Sequence, residues 1–159
     1  MQHYIPATKG HAGEGERIHL LANEPHFATR EGGWYSDKGV SNSTKQKYLN
    51  WLQQQYNNIS DLNQAYGTQY SNFAQARDGL TIPIAKSLQG GPIWYDWCKF
   101  NMARVTEWFS FLKRNVQQHD PQAKVTIKLL GWIMSSEWRD HGIDIEALAK
   151  LQDVMGSDF

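Results

Sequence analysis

The sequence predicts an α/β fold built on a parallel sheet. Three observations predict it. Two short apolar runs, Ile18–Asn23 and Lys124–Leu130, have strand length and strand composition. Between them lies the longest amphipathic pattern of the chain, far too long for a hairpin connection. The order strand, helices, strand, helix, strand then calls for right-handed crossovers between parallel strands.

The charged, Gly-rich stretch Gly10 to Arg17 reads as a loop leading into the first strand. Ile18-His19-Leu20-Leu21-Ala22 has the composition of a buried strand, and Pro25 stops its ladder because proline has no N–H. A polar stretch, Ala28 to Asn42, follows. Ser43 or Thr44 is the expected N-cap of a helix reaching about Tyr56, with Tyr48, Leu52 and Tyr56 on one face. Asn57-Asn58 breaks it, and a short helix from about Ser60 ends before Gly67, a left-handed C-cap. Residues 68–92 read as irregular, punctuated by Pro83, Gly90, Gly91 and Pro92.

The long helix is expected from about Trp94 to Gln118. Its stripe is Cys98, Met102, Val105, Phe109, Leu112 and Val116, and His119-Asp120-Pro121 ends it. Gly131 stops the second strand. Asp144 caps a helix to about Gln152, with Ile145, Leu148 and Leu151 inward. Asp153 to Asp158 reads as the start of a third strand.

Composition narrows the function classes. Lys plus Arg and Asp plus Glu number 16 each, so no net basic field recruits nucleic acid. Cys98 is the lone cysteine, which excludes an intrachain disulfide and a Cys-based metal site. His3, His11, His19, His119 and His141 lack metal-ligand spacing, so no metal or other cofactor is expected. No apolar run approaches the roughly 20 residues of a membrane span, and Met1-Gln2-His3-Tyr4 lacks signal-peptide character. The aromatic content, 7 Trp, 7 Tyr and 6 Phe, serves core packing and also suits stacking against sugar rings.

Asn23-Glu24-Pro25 is the motif with the most chemistry. It presents a carboxylate at the C-terminal rim of a strand, where α/β barrels hold their catalytic groups. Three strands do not close a barrel, and a (β/α)₈ barrel needs about 250 residues. The 159 residues are therefore expected to form one domain, the central part of such a barrel. A complete three-strand α/β domain is the alternative.

Three stretches carry a family resemblance. Ile18 to His26 resembles the fourth strand and acid/base motif of the retaining glycoside hydrolases on (β/α)₈ barrels. Tyr56 to Gly67, with Leu62-Asn63-Gln64-Ala65-Tyr66-Gly67, is similar to a segment of these enzymes, family 42 β-galactosidases included. Glu137 to Leu148, with Val154 to Asp158, looks most like the agarases and porphyranases of family 86.

The resemblance implies the site. Glu24 would be general acid and then general base, which needs a neutral carboxyl maintained by partial burial or a neighbouring carboxylate. Asn23 would bind the sugar 2-hydroxyl. His26 lines the site, orients Glu24 or is structural. Trp34 and Tyr35, then Trp132 and Trp138, follow strands on the same rim and are candidate sugar platforms. Trp108 is expected to pack, while Trp94, Tyr95 and Trp97 have no assigned place. Glu137 is a rim contact or a solvated loop carboxylate, and Asp158 ends the third strand on that rim. The nucleophile belongs on a later strand, beyond Phe159, so this chain alone is expected to be inactive. The implied substrate is a red algal galactan, agarose or porphyran, cut inside the chain at β-1,4 bonds. A substrate that large implies a secreted parent. A β-galactosidase of the same clan and a non-catalytic, carbohydrate-binding remnant are the alternatives.

Overall fold

The computed structural model describes residues 16–27, 40–79, 91–131, 139 and 141–158. The described elements are β1 (Ile18–Asn23), α1 (Asn42–Gln55), α2 (Ile59–Tyr66), α3 (Phe73–Gly79), α4 (Gly91–His119), β2 (Lys124–Leu130), α5 (Ile145–Leu151) and β3 (Gly156–Asp158). The strands form one sheet in the order β1-β2-β3, both pairs parallel, as the alternation of elements predicts. The fold class is α/β. The chain divides into two compact units. One holds the described residues up to Phe27 and from Asn101 onward; the other holds those from Val40 to Phe100.

The sheet unit is organised by β2. Val125, Ile127 and Leu129 alternate with half-exposed residues and are buried, as period-two patterning requires. They pack against Val105, Phe109, Leu112 and Val116 of α4 and Leu148 of α5. β1 departs from the buried strand expected of it. Leu20 pairs with Thr126 and Ala22 with Ile127, so Leu21 is an extra residue in a bulge. Leu21 and Ala22 join the core, while Ile18 and Leu20 stay about half exposed on the other face.

The third strand begins at Gly156 rather than Asp153. The preceding residues serve β2 in another way. The Gln152 Oε1 atom accepts from the Ile127 amide at 2.7 Å, and an Asp153 carboxylate oxygen accepts from the Val125 amide at 2.9 Å. Side chains thus take the Val125 and Ile127 amides, the Asp153 and Val154 amides donate to the Val125 carbonyl, and β3 pairs only with Lys128–Leu130. Arg17 and Asp120 form a bidentate pair that ties the start of β1 to the end of α4.

The second unit is helical and aromatic. Ser41 caps α1, its hydroxyl accepting from the Thr44 amide, so the helix starts ahead of the expected Ser43 or Thr44. Asn58 caps α2, and Gly67 closes it at φ 66°, the predicted left-handed cap. Within the stretch expected to be irregular lies α3, where the Asn72 side chain accepts from the Gln75 amide. Seven residues carry too little periodicity to announce a helix. Tyr48, Leu52, Leu62, Ala76, Trp97 and Phe100 form the core. The expected loops around Gly10 to Gly15 and Ala28 to Lys38 lie outside the described residues.

Candidate active site

Parallel pairing brings the C-terminal ends of the three strands to one edge of the sheet. Asn23 is level with Lys128 and Gly156, so Leu130 and Asp158 lie two residues farther along. Glu24 follows directly. It is the non-glycine residue with positive φ among those described, at 52°. A side chain there costs on the order of 1–2 kcal/mol, and the following proline restricts the backbone further. Strain of this kind persists where the surroundings over-determine the backbone, and such sites are often functional.

Lys128 supplies much of that determination. Its carbonyl accepts the Glu24 amide at 2.7 Å, and its ammonium stands 3.7 Å from a Glu24 carboxylate oxygen. The Glu24 side chain is 37% exposed. The neighbour shown is a cation, not the second carboxylate offered as one route to a neutral carboxyl. Asn23 is exposed beside it, as is His26, whose ring meets that of His141 edge-on with centroids 6.0 Å apart.

The loop after Glu24 is anchored from behind. The Phe27 amide donates to the His141 carbonyl at 2.9 Å, and its ring packs edge-to-face on Phe109. The Phe27 carbonyl accepts from Asn101 Nδ2 at 2.9 Å. The Asn101 side-chain oxygen accepts from Arg104 Nε and Nη2 at 3.0 and 2.6 Å. Burial pushes the Arg104 guanidinium below its usual pKa range. Sequence reading passes over these residues. Their signal is a pair of polar positions, three apart, interrupting the apolar stripe of α4 between Cys98 and Val105.

The remaining candidates separate into two groups. Asp158 ends β3 as expected, with β2 between it and β1. Trp34, Tyr35, Trp132, Glu137 and Trp138 lie outside the described residues. Trp94 and Trp97 are buried, and Trp108 is half exposed, stacked on Phe111. Among the described residues no group of three or more His, Cys, Asp or Glu could hold a metal ion.

The second unit has a polar centre of its own. Asp96, 8% exposed, accepts from the Tyr56 hydroxyl at 2.5 Å and the Tyr66 hydroxyl at 2.9 Å. The Tyr48 and Tyr66 hydroxyls are 3.4 Å apart. Burial above all raises the pKa of all three tyrosines. The Leu62 to Gly67 motif falls in this unit, where Leu62 and Tyr66 pack and Asn63 binds Thr68 and both backbone groups of Tyr70.

A family model described as β-galactosidase, glycoside hydrolase family 42, matches residues 29–158. Similar solved structures include an apo exo-carrageenase of family 42 from Bacteroides ovatus. It is 37% identical with a TM-score of 0.72, over 86% of this chain and 18% of that one. A β-galactosidase from Bacillus circulans sp. alkalophilus is 18% identical with a TM-score of 0.65, over 98% of this chain and 21% of that one. An exo-β-agarase is 19% identical with a TM-score of 0.61, over 86% of this chain and 19% of that one. The chain thus spans about a fifth of the length of these structures. No curated protein matches.

Proposed function

Since the chain belongs to the family 42 glycoside hydrolases, the β-galactosidase family, we propose that it carries the acid/base half of a retaining site that cuts β-galactosidic bonds in a galactan. The observation that carries this reading is Glu24, strained at φ 52° and half exposed at the C-terminal edge of a parallel strand. The family membership makes the chain a piece of glycosidase catalytic fold, matching the partial barrel expected of it.

The chemistry follows from the position. Breaking a glycosidic bond needs a proton on the leaving oxygen while positive charge develops at the anomeric carbon. Glu24 donates that proton. A second carboxylate attacks from the opposite face of the sugar, and Glu24 then removes a proton from the water that releases the glycosyl-enzyme. Asn23 hydrogen-bonds the 2-hydroxyl, a contact that strengthens toward the transition state. In this reading the second carboxylate stands on another strand of the barrel. His26 and Asp158 belong to the same strand-end edge, and Trp34, Trp132, Glu137 and Trp138 stay candidates for sugar contact.

Substrate choice is the finer part of the proposal. The family description favours a β-galactosidic linkage. The 37%-identical structure acts, by its description, on carrageenan from chain ends. The Glu137–Leu148 stretch, with its likeness to family 86, favours agarose or porphyran and internal cleavage. All are galactans too large to import, which favours a secreted parent. The test is the full-length protein on agarose, porphyran, carrageenan and a simple β-galactoside, wild type against Glu24→Gln. Release of reducing ends from at least one galactan, abolished or sharply reduced by the substitution, is expected. Release unchanged within about twofold would remove Glu24 from the role, since general acid catalysis contributes ~10²–10⁴-fold. Cleavage of the simple galactoside alone would favour the β-galactosidase reading.

A further inference from the structure

We propose that Asn101 is a positioning residue for the acid/base loop, clamping the Phe27 carbonyl so that Glu24 is presented at one fixed depth. The inference rests on Glu24 being the acid/base residue.

Asn101 is fully buried on α4. A buried amide left without partners costs about 1–3 kcal/mol, so its bonds are determinate. Arg104 fixes which way the amide faces. A guanidinium only donates, and two of its nitrogens point at Oδ1. The Asn101 NH₂ must therefore face the Phe27 carbonyl, which it meets at 2.9 Å. Gly142 completes the fit. It has φ 71°, and a Cβ there would lie 2.6 Å from Asn101 Nδ2.

The segment between Glu24 and Phe27 is thus held at both ends. At Glu24 the amide is bonded to the Lys128 carbonyl. At Phe27 the amide is bonded to His141 and the carbonyl to Asn101. Pro25 stiffens what lies between. A strained Glu24 backbone needs such anchoring, and a carboxyl displaced by an ångström from its leaving oxygen loses on the order of 10²-fold in rate.

Asn101→Asp isolates the clamp. It keeps the oxygen that faces Arg104 and replaces the donor to Phe27 with a lone pair. The experiment measures kcat/KM in the full-length protein, which reports formation of the glycosyl-enzyme. Two galactosides are compared. A dinitrophenyl leaving group departs without a proton; an alkyl or sugar leaving group requires one. Asn101→Asp is expected to lose about 10–100-fold on the second and under about threefold on the first, the pattern of a misplaced acid. Equal losses on both, or none, would overturn the proposal, because a merely structural defect does not sort substrates by leaving group. Glu24→Gln is measured alongside. If it discriminates and Asn101→Asp does not, the clamp alone fails. If it does not discriminate, the acid/base reading fails and takes the clamp with it. Should Asn101→Asp not fold, Arg104→Met carries the same comparison, with about a 3–10-fold sorting expected from a less constrained amide and its absence overturning the proposal.

Discussion

The two units differ in what their central polar side chains bind. In the sheet unit several of them bind backbone, beside the side-chain pairs Arg17–Asp120 and Arg104–Asn101. Asn101 holds Phe27, Gln152 and Asp153 hold β2, and Asp144 holds the first turn of α5. In the helical unit the central polar groups bind one another, with two tyrosine hydroxyls on Asp96 inside an aromatic core. The difference teaches where precision is needed. Backbone-directed bonds fix where strands and loops end, and so where a reactive carboxylate stands. Side-chain networks satisfy buried groups and specify packing.

The contrast can be broken most sharply at Glu24. Glu24→Gln in the full-length protein is expected to lower turnover on unactivated galactan by ~10²–10⁴-fold. Its thermal midpoint should barely move, because half-exposed sites usually cost under about 0.5 kcal/mol. A large drop in melting temperature would make Glu24 a structural residue. Asp96→Leu should do the reverse. It removes the shared acceptor of two part-buried hydroxyls, and is expected to cost about 1–3 kcal/mol in denaturant melts. If its activity per folded molecule falls along with stability, the division of labour between the units is wrong.

Smaller effects sharpen the same line. Asp144→Ala removes the side-chain oxygen that accepts the Ala147 amide at 2.9 Å, and should cost about 1 kcal/mol. The pH limits of stability should also divide. The Tyr48, Tyr56 and Tyr66 pKa values are raised in the fold, so their contribution is complete below the free value of about 10 and fades as pH rises above it. Asp153 is lowered, first by the Val125 amide and then by Lys113. Its contribution is present above about 3.9 and lost as pH falls through its folded value. Asp153→Asn should flatten the acid limb and leave the alkaline limb alone. Melts across pH with tyrosinate absorbance measure both, and an alkaline limb unchanged in Tyr66→Phe would count against the buried network.

Much of the fold was legible because periodicity is local. The strand at Lys124–Leu130, the caps at Gly67 and Asp144 and the parallel order follow from spacing and turn chemistry alone. Two elements were misjudged for reasons of context. α3 is too short to show a period. The third strand starts late because Gln152 and Asp153 bind β2 with side chains, a choice that depends on a neighbour distant in sequence. The bulge at Leu21 has the same origin, since register exists only between two strands. Of the candidate site, Glu24, Asn23 and His26 were named from their motif. Lys128, Asn101, Arg104 and Gly142 were not, because each acts through a contact across the fold.

By itself the sequence determined the α/β class, the parallel order and the strand end that bears Glu24. Each rests on patterns within a few residues, where backbone geometry is dictated by near neighbours. Only the tertiary structure decided how that strand end is held. The positive φ at Glu24, the lysine against its carboxylate and the amide behind Phe27 arise from residues brought together across some 75 to 105 positions of chain. Long-range pairing of this kind depends on how whole elements pack, which no local pattern encodes.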